Sequence, residues 1–232
     1  MSIDNAIMEE VSKGRSDPTI RFYRWKPSSV FIGRFQSMQD EVNTKLCDET
    51  GITYVRRITG GGAVYHDNSG EITYSVIAPE EIIPKGIIDS YRLVCGWIIY
   101  GLSKLGIKAE FSPINDVTVN ERKISGNAQT RKDGVVLQHG TILYDVDFKT
   151  MFSVLNIPAE KISDKMIKSA EERVTRVSEF SGITLDMLYS SLFEGFVSGK
   201  EYELGSLNVN ETVRAAELAD TVYRTKEWNF NR

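Results

Sequence analysis

Three successive glycines, Gly60-Gly61-Gly62, lie between two segments of strand character and limit the folds that this chain can adopt. The segment before them, Ile52 to Ile58, predicts a strand, and a second strand rather than a helix is expected after them. Glycine tolerates positive φ and lets the backbone approach a ligand closely. No Gly-Lys-Ser/Thr follows and the spacing is not that of a Rossmann fingerprint, so these two nucleotide-binding motifs are excluded.

The residues on either side of the glycines favour a binding site over a plain hairpin. Arg56 and Arg57 come directly before them, and His66-Asp67 follow shortly after. Backbone N–H groups of such a loop can face an anion, and the arginines could add cations for a phosphate or carboxylate. A glycine-rich hairpin with exposed arginines is the simpler interpretation of a bare triple glycine. The arginine pair and the His-Asp make a site the better hypothesis.

The order of strand and helix patterns predicts an α+β fold with a mixed, largely antiparallel sheet flanked by helices. Strands and helices occur without strict βαβ alternation. Apolar spacing predicts helices at Ile3–Lys13, Asp40–Glu49, Ile87–Leu105 and Glu211–Tyr223, the last capped by Asn210, and mostly helical structure from Phe148 onward. Strands are predicted at Thr19–Trp25, Ser29–Arg34, Ile52–Ile58, Glu71–Ile77, Val117–Val119, Lys123–Ser125 and Val135–Val146.

Length and charge limit the number of domains and the kinds of partner that we expect. The 232 residues fit one large domain, and we expect a single domain over residues 1–232. A net charge of −4 and a pI of about 5.4 argue against a nucleic-acid partner. The most apolar stretch, Leu93 to Leu102, is too short to span a bilayer, and the polar segment after Met1 has no signal-peptide pattern. A cytoplasmic protein without a membrane partner is therefore expected.

The cysteines and histidines predict neither a disulfide framework nor a structural zinc site. Cys47 and Cys95 fall in segments of helical, apolar pattern and are interpreted as small buried hydrophobic residues. The two histidines, His66 and His139, are far apart in sequence, so no zinc pattern can be drawn.

Two further segments are polar and glycine-bearing. The first, Asn115 to Gln129, places Lys123 at the start of a predicted strand. Taken alone it is a surface hairpin with a solvated lysine, as most lysines are. The second, Gln138 to Leu143, contains His139-Gly140, which alone indicates a loop or bulge with a structural histidine.

Together these segments resemble the biotin/lipoate protein ligase family, specifically its lipoate branch. The stretches Arg56-Arg57-Ile58-Thr59-Gly60-Gly61-Gly62-Ala63-Val64-Tyr65-His66-Asp67, Asn115 to Gln129, and Gln138 to Leu143 occur in family order. Arg21 to Trp25 with Ile32 to Gln36 resembles the family's opening strands, and Glu227-Trp228-Asn229 its closing motif. The resemblance implies a class II synthetase-like sheet flanked by helices, and the transfer of an activated acyl group to a lysine of a carrier domain.

The resemblance also implies a set of site residues. Lys123 is the expected catalytic residue, because a fixed cation near the reacting carbonyl and α-phosphate stabilises developing negative charge. Asp116 is expected at the adenylate end, as a candidate ligand of Mg²⁺. Val64, Tyr74 and Val76 are expected to form an apolar slot for the dithiolane tail. The expected lipoate- and adenylate-binding residues are Arg57, Gly60, Gly61, Gly62, Ala63, Val64, His66, Tyr74, Asn115, Asp116, Ser125, Gly126, Asn127, Ala128, His139, Gly140 and Thr141.

Within the family the sequence favours a lipoate–protein ligase, with ATP and Mg²⁺ as co-substrate and activator and lipoate as the acid. Gly33-Arg34-Phe35-Gln36 is unlike the Gly-Arg-Gly-Arg loop of biotin ligases. The alternative is a lipoyl or octanoyl transferase that uses an acyl-carrier donor without ATP. Asn127 to Arg131 and Leu137 to Thr141 suit it, but its Cys-dependent type needs a nucleophilic cysteine in the loop before Lys123. That loop, Phe111 to Asp116, has none.

Two partners are expected. One is a lipoyl carrier domain, such as a glycine-cleavage H protein or an E2 subunit. The other is a separate accessory protein, because the C-terminal accessory domain of many such ligases is expected to be absent here. Glu71 stands where many ligases have Asn, so that contact is not carried over.

Overall fold

The structure is a computed structural model that describes residues 1–156 and 172–231. Its helices are α1 (Ser2–Ser12), α2 (Met38–Glu41), α3 (Thr44–Thr50), α4 (Ile87–Lys104), α5 (Phe148–Val154), α6 (Leu185–Val197), α7 (Val209–Leu218) and α8 (Lys226–Phe230). Its strands are β1 (Thr19–Tyr23), β2 (Ser29–Ile32), β3 (Thr53–Arg56), β4 (Val64–His66), β5 (Glu71–Pro79), β6 (Glu110–Ser112), β7 (Asp116–Val119), β8 (Arg122–Lys132) and β9 (Val135–Leu143).

Two sheets organise these elements. The larger one has six strands in the order β1-β5-β9-β8-β7-β6, and every neighbouring pair is antiparallel. The smaller one has the order β3-β2-β4, with β2 parallel to β3 and antiparallel to β4. The predicted α+β fold with a mixed, largely antiparallel sheet flanked by helices is confirmed.

The main hydrophobic core lies between the larger sheet and the helices α4 and α6. Alternate residues of β5 face it, among them Ile72, Tyr74 and Val76, and the ring of Tyr74 packs against Phe196 of α6. The two helices approach closely at Gly195, where an added Cβ would lie 2.4 Å from the carbonyl oxygen of Trp97. This core fixes one face of the sheet, so the opposite face is left for α1, the smaller sheet and the site.

A buried carboxylate attaches α1 to that opposite face. Asp4 is fully buried and accepts hydrogen bonds from the hydroxyls of Ser75 (2.9 Å) and Tyr23 (3.1 Å), and it pairs with Arg21. Positive charges nearby hold the pKa of Asp4 below its usual value against the opposing effect of burial. The helix is therefore attached by polar as well as apolar contacts.

Two of the predicted helices differ clearly from the structure at their ends. Asp40–Glu49 is not one helix, because Val42 is extended and Asn43 caps a new helix by accepting from the N–H of Leu46. The late helix begins earlier than predicted, and its cap is Asn208 rather than Asn210. Glu211 completes a capping box there by accepting from the Asn208 N–H. Part of the helical structure predicted after Phe148 falls on residues 157–171, outside the described residues. In the described ranges, none of the helices is both long and apolar enough to cross a bilayer.

Candidate active site

A pocket of about 330 Å³ opens between the two sheets. The strand register places Tyr23, Thr73, Thr141 and Gly126 in one row across β1, β5, β9 and β8. All four residues line the pocket, so this row forms its floor. Since neighbouring strands lie about 4.8 Å apart, the floor is roughly 14 Å long.

A β-bulge directs Lys123 over one end of this floor. Lys123 and Gly126 are three residues apart on β8, so in a regular strand they would face opposite sides of the sheet. The register between β7 and β8 shifts after Val117, which leaves an extra residue on β8 at this point. As a result the Lys123 side chain lies against Gly126, where an added Cβ would be 2.8 Å from its Nζ.

Charge and backbone contacts hold Lys123 in this position. Its Nζ lies 2.7 Å from Oδ1 of Asp116 on the neighbouring strand β7. Its backbone N–H donates to the carbonyl of Arg173, and its own carbonyl accepts from the N–H of Thr175, both at 2.8 Å. The side chain remains 41% exposed at the pocket mouth, so an ammonium group paired with Asp116 is accessible to a second molecule.

Arg57 shapes the glycine loop instead of reaching into the pocket as a free cation. Its guanidinium donates to the carbonyls of Gly60 and Gly62, both at 2.8 Å, to the carbonyl of Phe31 and to Oγ1 of Thr59. Burial lowers its pKa to about 10, so it still carries its charge at neutral pH. Most N–H groups of the Arg57 guanidinium donate to the glycine loop. Arg57 would therefore favour the binding of an anionic ligand mainly through its positive charge.

His139 connects the loop to the larger sheet. Its Nε2 lies 2.7 Å from the hydroxyl of Thr59. Burial lowers the pKa of His139 to about 3, so the ring is neutral. Because Thr59 already accepts from Arg57, we assign its hydroxyl as donor and Nε2 as acceptor. His139 is thus a structural acceptor at the pocket wall.

Arg56 is a scaffold residue and does not reach the pocket, contrary to the expected anion contact. Its fully buried guanidinium donates to the carbonyls of Arg34 (3.0 Å) and Gln36 (2.5 Å) on one side. On the other side it donates to the carbonyls of Trp228 (2.9 Å) and Asn229 (3.0 Å). The turn that follows β2 and the helix α8 are therefore connected through one side chain.

That turn supports the glycine loop directly. A Cβ added at Gly33 would lie 1.9 Å from the carbonyl oxygen of Gly61, so the two backbones touch. Gly61 itself has a φ of +96°, a conformation that favours glycine. Gly33 is needed because the two backbones touch there, and Gly61 is needed because of its positive φ.

The end of the floor away from Lys123 is aromatic. The rings of Trp25 and Phe31 lie against the imidazole of His66, with centroids 5.1 and 4.9 Å away. Nδ1 of His66 lies 2.6 Å from Oε1 of the fully buried Glu71. Thr73 donates to the same oxygen, whereas Oε2 of Glu71 has no hydrogen-bond partner among the described residues. This end combines an apolar surface with one buried polar pair.

The structure brings most of the expected site residues to the pocket. Those that line it are Arg57, Gly61, Gly62, Ala63, Val64, His66, Asn115, Lys123, Gly126, Asn127, Ala128, His139, Gly140 and Thr141. Asp116 reaches the site through Lys123, and Gly60 through Arg57. Ser125 is fully buried and is not among the lining residues.

Tyr74 and Val76 do not line the apolar slot, and that expectation needs correction. Alternate residues of a strand face opposite sides of a sheet. Thr73 faces the pocket, so Tyr74 and Val76 face the core between the sheet and α4 and α6. The hydroxyl of Tyr74 donates to Oδ1 of Asn127 at 2.6 Å, which places it behind the pocket wall.

Sequence reasoning missed most of the apolar lining. These residues are Tyr23, Trp25, Phe31, Tyr65, Leu143, Val146, Phe148, Met151, Leu155 and Val174. The first three lie in β1, in the segment that follows it and in β2, and this run of aromatic residues is a usable signal. The residues of α5 gave no such signal, because their apolar spacing is that of any helix that packs on a core.

Asp116 was expected as a candidate Mg²⁺ ligand, and this expectation stays a prediction. Its carboxylate is engaged by Lys123. Among the residues that the structure describes, no group of three or more His, Cys, Asp or Glu could hold a metal ion.

Comparison with known proteins identifies the family. The family model for the lipoyl protein ligase A/B catalytic domain matches residues 1–197. The chain belongs to this family. Among solved structures of lipoyl protein ligases, it is similar to the bi-partite lipoate protein ligase of Thermoplasma acidophilum, with a TM-score of 0.87 and 33% identity over 98% of this chain and 91% of that one. It is also similar to lipoate-protein ligase A bound with ATP, with a TM-score of 0.84 and 32% identity over the same shares.

Sequence relatives within the family correct the expected activity. Octanoyltransferase LipM of Brevibacillus brevis is 36% identical over all of this chain and 94% of its own length. Octanoyltransferase LipM of Staphylococcus aureus is 34% identical over the same shares. The expected ATP-dependent ligase is therefore wrong, and the relatives support acyl transfer, the alternative. The sequence alone favours the ligase because the loop before Lys123 has no cysteine.

Proposed function

We propose that this chain transfers an octanoyl or lipoyl group from an activated acyl thioester to a lysine of a lipoyl carrier domain. The family shows that it is an enzyme of lipoyl or octanoyl attachment. The observation that carries the finer proposal is a pocket between the two sheets with an aromatic end, a floor of small and hydroxylated residues, and a cation at its mouth.

The floor suits an extended acyl chain of medium length. Between the Lys123 end and Tyr23 it crosses three strand intervals, roughly 14 Å. The pocket volume of about 330 Å³ lies at the lower end of the range for small-molecule pockets. A thioester carbonyl beside Lys123 would direct the tail along Thr141 and Thr73 toward Trp25 and Phe31. The apolar side chains of α5 would close the pocket over the chain.

Lys123 would act on the carbonyl. Attack by an amine on a thioester develops negative charge on the carbonyl oxygen. A fixed ammonium in a partly desolvated site stabilises that charge, and the buried cation Arg57 adds to the potential. Because a thioester is already activated, this transfer needs no ATP.

The acceptor would approach from the exposed side of Lys123. The Thermoplasma acidophilum structure is described as a lipoylation system that includes an E2 lipoyl domain. A lysine presented by such a domain is long enough to reach the mouth without the domain entering the pocket. The carrier is therefore proposed as a lipoyl domain.

The test is an intact-mass assay of acyl transfer. The purified chain is incubated with an apo lipoyl domain and octanoyl-acyl carrier protein, without nucleotide. We expect the lipoyl domain to gain one octanoyl group, and a lipoyl domain whose acceptor lysine is replaced by arginine to gain none. A parallel reaction contains free octanoate, ATP and Mg²⁺. Acylation only in that second reaction would contradict the proposal.

A further inference from the structure

The pocket wall at the Lys123 end includes Asn127, which directly follows Gly126 on β8. Asn127 is 5% exposed and lines the pocket. Its amide lies over Gly140 of the neighbouring strand β9, where an added Cβ would be 2.2 Å from Oδ1 of Asn127. A glycine is therefore needed on β9 to make room for this amide.

Three hydrogen bonds connect Asn127 to Asn115. The carbonyl oxygen of Asn115 accepts from the backbone N–H of Asn127 (3.2 Å) and from its Nδ2 (2.8 Å). In return, Nδ2 of Asn115 donates to the carbonyl of Asn127. Asn115 is the last residue of the turn between β6 and β7, and the two residues before it, Pro113 and Ile114, are exposed. Asn127 thus attaches this turn to β8.

The hydroxyl of Tyr74 holds the Asn127 amide from the core side of the sheet. Because a carbonyl can only accept, we assign the amide nitrogen of Asn127 to the Asn115 side and its Oδ1 to Tyr74. The Tyr74 hydroxyl then donates to Oδ1 at 2.6 Å and accepts from Nε2 of Gln138 at 2.9 Å. Burial raises the pKa of Tyr74 well above its usual value, so the hydroxyl keeps the proton that it donates.

The side chain of Asn127 is fully engaged within the protein. Its second amide hydrogen points to Sγ of Cys95, at a donor–acceptor distance of 3.4 Å. Both of its amide N–H groups and its Oδ1 therefore have partners among the residues that surround them. This side chain is suited to hold its neighbours in place, because it has no free donor to offer to a substrate.

We infer that Tyr74 and Asn127 are positioning residues for Lys123, on which they act from behind the pocket wall. The inference rests on the proposed function. Asn115 directly precedes Asp116, which begins β7 and whose Oδ1 lies 2.7 Å from Nζ of Lys123.

The attachment of the turn is needed because β7 is weakly held at this point. The strand has four residues, and its pairing with β8 becomes irregular after Val117. A shift of Asn115 would move the carboxylate of Asp116, and with it the ammonium that this carboxylate holds. Tyr74 itself faces the core and is not among the residues that line the pocket. Its loss should therefore affect the rate of the chemical step more than the binding of the donor.

The test is Tyr74→Phe in the octanoyl transfer assay, with octanoyl-acyl carrier protein as donor and an apo lipoyl domain as acceptor. We expect kcat to fall by about tenfold, because the reacting cation is displaced, and the KM of the donor to stay within about twofold. Tm should fall by several degrees, because Oδ1 of Asn127 and Nε2 of Gln138 each lose a buried partner.

Tyr144→Phe is the control. It also removes a tyrosine hydroxyl that donates to a protein acceptor, the carbonyl of Ile183 at 3.3 Å, but Tyr144 does not line the pocket and makes no contact with Asn127 in the hydrogen bonds of the described residues. We expect its kcat to equal that of the wild type.

A double-mutant cycle separates positioning from a general loss of stability. In the Lys123→Ala background, the further change Tyr74→Phe should alter the single-turnover rate by less than about twofold, because no ammonium is left to position. A merely structural role of Tyr74 would lower the rate by the same factor in both backgrounds. Asn115→Ala gives a second test that leaves the core intact, since it removes the amide that donates to the Asn127 carbonyl from a half-buried turn residue. The same fall in kcat at constant KM is expected.

The outcomes distinguish this inference from the proposed function. A folded Tyr74→Phe enzyme with the wild-type kcat, a change confined to KM, or an equal loss in the Lys123→Ala background would overturn the positioning role and leave the transferase in place. If Tyr74→Phe does not fold, Asn115→Ala decides by the same criteria. If the wild-type chain transfers from no thioester, the proposed function is wrong and the inference fails with it.

Discussion

Gly126→Ala tests whether the exact place of the Lys123 ammonium matters for catalysis. The new Cβ would lie 2.7 Å from Cε and 2.8 Å from Nζ of Lys123, and ordinary contact begins near 3.4 Å. The end of the lysine must therefore retreat by roughly 0.6 Å or more. A displacement of about 1 Å at a reacting group can cost about 10²-fold in rate. Because the side chain that moves is flexible and exposed at the mouth, the folded state should be little affected.

The assay is the rate of octanoyl transfer to an apo lipoyl domain at saturating donor, together with thermal unfolding. We expect kcat to fall by about 10²-fold and Tm to change little. Gly96→Ala is the matched control, because an added Cβ there meets nothing within 4 Å. It lies inside α4 and should stabilise the protein by about 0.5–1 kcal/mol with unchanged kcat. A Gly126→Ala enzyme with the wild-type rate would show that the close position of Lys123 is not needed.

Three further predictions concern the pocket wall, the loop support and the floor. Burial lowers the pKa of His139 from 6.5 to about 3, so below pH 6.5 the unfolded chain binds a proton that the folded chain does not, and the folded state loses stability as the pH is lowered. Between pH 6.5 and 5 the free energy of unfolding, measured in urea, should decrease by about 2 kcal/mol more for the wild type than for His139→Gln. An equal decrease in both proteins would show that His139 is not the cause. Asn229→Ala removes the acceptor for the backbone N–H of Arg56 and should cost about 1–3 kcal/mol of unfolding free energy, whereas the exposed Asn231→Ala should cost almost nothing; similar losses would refute the assigned role. Thr73→Leu should raise the KM for octanoyl thioester by about tenfold and leave butanoyl transfer nearly unchanged, and an equal effect on both donors would contradict the proposed path of the tail.

The sheet and the long helices could be predicted from the sequence because their signals are local. The apolar spacing of α4 and the strand pattern of β5 each identify an element without knowledge of its neighbours. The ends were harder, since they depend on side-chain hydrogen bonds. Asn43 caps a new helix inside a segment whose apolar pattern is continuous. Asn208 rather than Asn210 caps α7, because the Glu211 carboxylate accepts a hydrogen bond from the Asn208 N–H.

The sequence predicted most of the residues of the site, but it did not predict what each of them contacts. The bulge in β8 that turns Lys123 onto Gly126 is set by pairing with β7, and such a register shift is not visible in one strand. Arg56 and Arg57 are adjacent in sequence, yet one supports the turn after β2 and the other the glycine loop. The alternating pattern of β5 shows that Tyr74 and Thr73 face opposite sides of the sheet, but it does not show which side carries the pocket. That assignment needs the pairing of β5 with β9.

The most direct test of the account is a single-turnover measurement of octanoyl transfer without ATP, with wild type and Lys123→Ala side by side. Excess enzyme is mixed with octanoyl-acyl carrier protein and apo lipoyl domain, and the acylated lipoyl domain is followed by mass over time. The account predicts rapid transfer by wild type and a loss of about 10²-fold or more in Lys123→Ala. Transfer by Lys123→Ala at the wild-type rate, or no transfer by wild type from the thioester, would contradict it.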